Sequence, residues 1–91
     1  AATFVVKVQG DSMSGAGIRD GDLLVVDRAR EAKSGAIVVA VVDGALTVKR
    51  LRVGRDGVRL EPENPAYRPI QLREDEELVI WGVVAPAIRS A

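Results

Sequence analysis

The apolar residues of this 91-residue chain fall in short runs, the longest being Ala36 to Val42, and each run is bounded by glycine, aspartate or proline. Valine alone supplies 15 positions. Runs of this size are too short for stable helices, and their β-branched content and turn-forming borders are those of strands. The predicted fold is therefore mainly β. Strands are expected at Thr3 to Val8, Leu23 to Asp27, Ile37 to Val42, Ala45 to Val53, Val58 to Leu60, Ile70 to Leu72 and Leu78 to about Ile88. Asp43-Gly44 between two β-rich runs predicts a tight hairpin, because both residues tolerate the positive φ of a type I′ turn. Arg55-Asp56-Gly57 extends the hairpin into a meander. Arg28 to Ser34 reads as a turn or one helical turn. Glu61 to Pro69 carries three prolines and reads as a surface loop.

Length and composition then limit the chemistry. A chain this short closes around one core, so residues 1–91 are expected to form a single domain. There is no cysteine and no histidine. Disulfide frameworks, thiolate or imidazole metal sites, cysteine nucleophiles and histidine-based triads are excluded. Thirteen basic residues balance thirteen acidic ones, which gives no support to steering toward nucleic acid or an anionic membrane. No run approaches the roughly 20 apolar residues of a spanning helix, and no signal peptide is evident. The Ala1-Ala2 start reads as a processed product or an excised domain.

Two places could carry reactivity. The loop Gly10-Asp11-Ser12-Met13-Ser14-Gly15-Ala16-Gly17 follows a strand and is built of small residues. It reads either as a flexible connection or as a loop that presents a serine hydroxyl beside free N–H groups. Lys49 shares one face of its strand with Thr47, Leu51 and Val53, and Leu46, Val48, Arg50 and Arg52 share the other. In a chain with ten arginines and three lysines, it is either an edge lysine reaching water or a buried amine able to lose its proton. Arg50, Arg52, Arg55 and Arg59 read as a solvated hairpin face, since Phe4, Tyr67 and Trp81 are too few and scattered to stack bases. Asp20, Asp22 and Asp27 and the run Glu74 to Glu77 match no calcium loop and read as turn and cap residues.

Gly10-Asp11-Ser12-Met13, the block Gly17 to Asp27, Thr47-Val48-Lys49-Arg50-Leu51 and Pro62 to Ile70 together resemble the self-cleaving domain of the LexA and UmuD proteins. The likeness runs in order across nearly the whole chain, and the Gly-Asp-Ser-Met and Ala-Tyr-Arg-Pro-Ile segments look closer to UmuD. Signal peptidases share the serine-lysine scheme, but the proline that typically follows their Ser-Met is replaced here by Ser14. The resemblance implies a fold of short, strongly curved antiparallel sheets, as in LexA and signal peptidases. It also implies a single peptidase and dimerisation domain whose N-terminal arm is missing. Ser12 would be the nucleophile, Lys49 its general base, the backbone N–H groups of Asp11 and Ser12 the oxyanion hole, and Thr47 a support for the amine. No metal or other cofactor is implied.

The substrate so implied is the chain's own N-terminal arm, cut at an Ala-Gly or Cys-Gly bond. Ala16-Gly17 lies inside the serine loop and is dismissed as a target. The implied partners are a second copy in a homodimer, a RecA filament on single-stranded DNA, and a UmuC-like error-prone polymerase subunit used in translesion synthesis. Direct nucleic-acid binding and membrane binding are not expected, and the location would be cytoplasmic. The alternative is the C-terminal part of a LexA-like repressor. A catalytically idle dimerisation module is the third possibility. The long strand from Leu78 offers an edge or face for dimerisation. The physical demand falls on Lys49: an amine of pKa about 10.4 is neutral about once in a few thousand molecules at pH 7. Lowering that by about 3 units disfavours the charge by about 4 kcal/mol, which burial can supply.

Overall fold

The computed structural model describes residues 2–89, with the backbone alone for residues 86–89. Seven strands form: β1 (Thr3–Lys7), β2 (Leu23–Asp27), β3 (Ile37–Val42), β4 (Ala45–Gly54), β5 (Gly57–Glu61), β6 (Ile70–Gln71) and β7 (Leu78–Arg89). Every bound lies within one residue of the sequence expectation. All pairings are antiparallel, in one sheet of order β1-β2-β7-β3-β4-β5-β6. The helical element among the described residues is one 3-10 turn, Ser14–Ala16. Residues 28–33 form bends and irregular backbone, and a turn begins at Ser34, closed by the Ala36 N–H donating to the Lys33 carbonyl at 3.0 Å.

The uninterrupted apolar run of β3 has a physical reason. Val38, Val39 and Ala40 are all fully buried although they point alternately to opposite faces. Val39 packs with Met13, Ile18, Leu24 and Val26 on one side. Val38 and Ala40 pack with Leu51, Leu60 and Val83 on the other. The sheet thus carries a core on each face, and a central strand buried on both faces has no polar alternation to show. At the β3–β4 turn, Asp43 and Gly44 have φ of 46° and 84°, as the type I′ hairpin requires. Along β4 the alternation holds at Leu51 but not at Val53, which is 54% exposed. Val53 lies near the far end of the β4–β5 hairpin, beyond the covering core.

Of the edge or face that β7 was expected to offer, the edge is taken up within the sheet. The strand is central, paired with β3 along Leu78–Val83 and with β2 at Val83, Val84 and Arg89. Register shifts between Leu24 and Val26 and between Val39 and Ala40 bend both ladders, and such irregularities increase local twist. Gly82 stands where β7 passes closest to β2: a Cβ there would lie 2.7 Å from Val26 Cγ1 and 2.8 Å from the Asp27 carbonyl oxygen. One of those contacts is backbone and cannot rotate away. Gly82→Ala should therefore destabilise the protein by about 1–3 kcal/mol, read as a lower urea midpoint at unchanged m-value.

Candidate active site

β4 is ten residues long, but β5 pairs only with Arg50–Gly54. Ala45–Lys49 are thus paired on the β3 side alone among the described strands. The N–H and C=O of Leu51 turn toward Ala36 and Gly35. By strand alternation, the main-chain groups of Leu46 and Val48 face the open side. Ser12 is delivered to this open stretch by the loop after β1. Met13 and Ile18, each 2% exposed, anchor that loop in the core.

Lys49 Nζ donates to Ser12 Oγ at 2.9 Å, to Thr47 Oγ1 at 2.7 Å and to the Val48 carbonyl oxygen at 3.2 Å. Lys49 forms no ion pair among the described residues. It is half-buried, opposite fully buried Val38. Burial pushes the amine below its ordinary pKa. Three acceptors satisfy an ammonium. A neutral amine would keep two N–H donors for Thr47 and Val48 and turn its lone pair to the serine hydroxyl. Among the described residues the N–H groups of Asp11 and Ser12 donate to no protein acceptor. The cleft beside the pair, about 270 Å³, is lined by Val6, Val8, Gln9, Met13 and Leu46. A larger concavity of about 700 Å³, near Ile18, Ile37 and Val84, includes neither Ser12 nor Lys49.

The proline-rich segment is more than a crossing loop. Glu63 N–H donates to the Ser12 carbonyl at 2.8 Å, and Gly15 N–H to the Glu63 carbonyl at 2.7 Å. Asn64 Nδ2 donates to the Asp11 carbonyl at 2.9 Å and Tyr67 O–H to the Asp11 carboxylate at 2.6 Å. Sequence reasoning missed Glu63, Asn64 and Tyr67, because nothing local to Pro62–Pro69 tells where the loop lands. The other candidates fall into place. Arg50 pairs with Glu63, and Arg52 and Arg59 both pair with Glu61. Asp20, Asp22 and Asp27 accept from the N–H groups of Gly10, Arg19 and Ala29. Ala16-Gly17 is folded into the 3-10 turn, with Gly17 left-handed, so it is not presented in an extended form. Phe4 and Trp81 meet edge to face at 6.2 Å, with Arg28 over Phe4.

A strand-edge lysine thus meets a loop serine within an antiparallel sheet, and comparison with known proteins gives the family. Residues 1–85 match the family described as Peptidase S24-like, and the chain belongs to that family. Among its relatives, LexA repressor 2 of Xanthomonas axonopodis pv. citri (strain 306) is 48% identical over 94% of this chain. The LexA repressors of Stenotrophomonas maltophilia (strain R551-3) and Xylella fastidiosa (strain M23) are 47% and 45% identical over 98% of it. The chain spans only 40–42% of the length of these three relatives. Their names favour the repressor branch over the UmuD leaning, and give no support to a polymerase partner. No helix among the described residues is long and apolar enough to cross a membrane.

Two consequences are measurable. Because burial lowers the Lys49 pKa, the unfolded chain binds the extra proton between the folded value and the ordinary lysine value. The penalty is fully present below that window and is relieved as pH rises through it. Lys49→Met should therefore raise the urea midpoint at pH 7, with the gain shrinking toward about pH 10.4. Tyr67 is the only tyrosine. Its hydrogen bond to Asp11, and then the repulsion a phenolate would meet from that carboxylate, raise its pKa. Tyrosinate absorbance should rise at higher pH than for free tyrosine, and Asp11→Ala should return it to the ordinary value.

Proposed function

We propose that this chain is the self-cleaving and dimerising domain of a LexA-like repressor, with Ser12 as nucleophile and Lys49 as general base. The 2.9 Å contact between Lys49 Nζ and Ser12 Oγ carries the reading. Neutral Lys49 takes the hydroxyl proton as Oγ attacks the carbonyl carbon of the scissile bond. The N–H groups of Asp11 and Ser12 receive the oxyanion, a role open to them because neither is committed elsewhere among the described residues. The lysine ammonium then passes its proton to the departing amine nitrogen. Water, deprotonated by Lys49, releases the acyl group from Ser12. Thr47 Oγ1 holds one amine N–H and thereby aims the lone pair.

The natural substrate is an N-terminal arm of the same polypeptide. A RecA filament on single-stranded DNA stimulates the cut, two copies dimerise, and the reaction takes place in the cytoplasm. Cleavage separates this domain from an upstream DNA-binding domain and ends repression. The relatives' names and the family match support this branch.

With an arm bearing an Ala-Gly bond attached, the cleavage rate should rise about tenfold per pH unit while Lys49 is mostly protonated. It should level off below the ordinary lysine pKa, because burial has lowered that of Lys49. Ser12→Ala and Lys49→Ala should remain folded and uncut. Undiminished cleavage in Lys49→Ala would sink the assignment.

A further inference from the structure

A trans peptide bond is planar, so the carbonyl of Asp11 and the N–H of Ser12 turn as one unit. Whatever grips that carbonyl therefore aims that N–H. Two donors grip it: Asn64 Nδ2 at 2.9 Å and the N–H of Ser14 at 3.2 Å. The Ser14 contact is internal to the loop and moves with it. The Asn64 contact comes from a different segment, 53 residues along the chain.

The side chain of Asn64 is itself held in one orientation. Its Oδ1 accepts from the Ala66 N–H at 2.9 Å, which leaves Nδ2 as the atom facing Asp11. The turn is closed again by Tyr67 N–H donating to the Asn64 carbonyl at 3.0 Å. The side chain of Tyr67 then returns to the same target, its O–H on the Asp11 carboxylate at 2.6 Å. Two more contacts tie the loops: Glu63 N–H to the Ser12 carbonyl and Gly15 N–H to the Glu63 carbonyl, where a Cβ on Gly15 would collide. Glu63 is fixed in turn by Arg50, whose Nη1 also donates to the Gly35 carbonyl at 2.7 Å.

We propose that Asn64, seconded by Tyr67, is a positioning residue of the peptidase, orienting the Asp11–Ser12 peptide plane so that the Ser12 N–H meets the developing oxyanion. The inference rests on the Ser12–Lys49 assignment above. Neither residue touches the reacting atoms; both act through Asp11.

Asn64→Asp separates this role from a structural one. Aspartate keeps an oxygen to accept from Ala66 N–H and so keeps the turn, but it loses the donor to Asp11 and sets an oxygen against that carbonyl. The assay is cleavage in trans by this chain of a separate polypeptide carrying the cleavable arm. For Asn64→Asp, kcat should fall about tenfold or more with KM changed less than about twofold, since the loss is confined to the transition state. The urea midpoint should stay near that of the unsubstituted chain, and the rising limb of the pH profile should not shift, because Lys49 is untouched. Tyr67→Phe should show a smaller fall in kcat at the same KM.

An unchanged kcat in Asn64→Asp, or a fall matched by a rise in KM, overturns the proposal. If Asn64→Asp fails to fold, Tyr67→Phe decides in the same way: lower kcat at constant KM supports the role and unchanged kcat refutes it. No cleavage by the unsubstituted chain would instead overturn the serine-lysine assignment, and this role with it.

Discussion

The open stretch of β4 exists because β5 stops where it does. The β4–β5 register runs from Gly54 opposite Gly57 to Arg50 opposite Glu61, so the next residue, Pro62, would stand opposite Lys49. The ladder ends there, and Pro62, which fixes its own φ, begins the segment that leaves it. Had β5 continued for four more residues, it would have occupied the edge where Leu46 and Val48 present their main-chain groups. Lys49 Nζ could not then reach both the Val48 carbonyl and Ser12 across that edge. The same proline redirects the chain, so Glu63, Asn64 and Tyr67 arrive over the serine loop. The end of β5 leaves the site open, and the segment that follows it braces the site.

Charge is kept away from the amine by an equally local arrangement. Glu63 holds the serine loop through its main chain, and a carboxylate beside Lys49 would stabilise the ammonium and oppose the effect of burial. Arg50, the next residue in β4, occupies Glu63 through its Nε while its Nη1 is fixed on the Gly35 carbonyl. Arginine suits this position because it stays charged and forks between two acceptors. Adjacent strand residues point to opposite faces, so the ion pair and the lysine amine are separated by the strand itself. Burial can then act on Lys49 without a counter-charge, which is the condition for a lowered pKa.

Much of this was legible in the sequence, for identifiable reasons. Strand limits followed from valine runs with glycine, aspartate and proline borders, because those residues act locally. The Asp43-Gly44 hairpin followed from the same local chemistry. The placement of Ser12 beside Lys49 came from a resemblance; neither loop composition nor a two-residue period could bring together positions 37 apart. The two-faced core was not read, although the unbroken run of β3 is its signature. The central place of β7 was missed because pairing partners are chosen at long range, and the tight passage at Gly82 leaves no mark in its neighbours. Asn64 and Tyr67 looked like loop residues because their function lies in where the loop lands, which β5's endpoint decides.

The shape of the cleft bears on the kind of peptidase the geometry suits. The cleft is small, about 270 Å³, and is lined as much by Lys7, Gln9, Ser12, Thr47 and Lys49 as by apolar Val6, Val8, Met13, Leu46 and Val48. A free substrate must offset its lost translational and rotational freedom with contacts, whereas a segment of the same polypeptide is already confined near the site at a high effective concentration. For such a substrate the protein need supply only the reacting groups and their orientation. In the proposed reaction, anything that seats the arm more often, or disfavours the ammonium further, would speed the cut. A small cleft, a half-buried base and a braced serine loop are mutually consistent with the proposed self-cleavage.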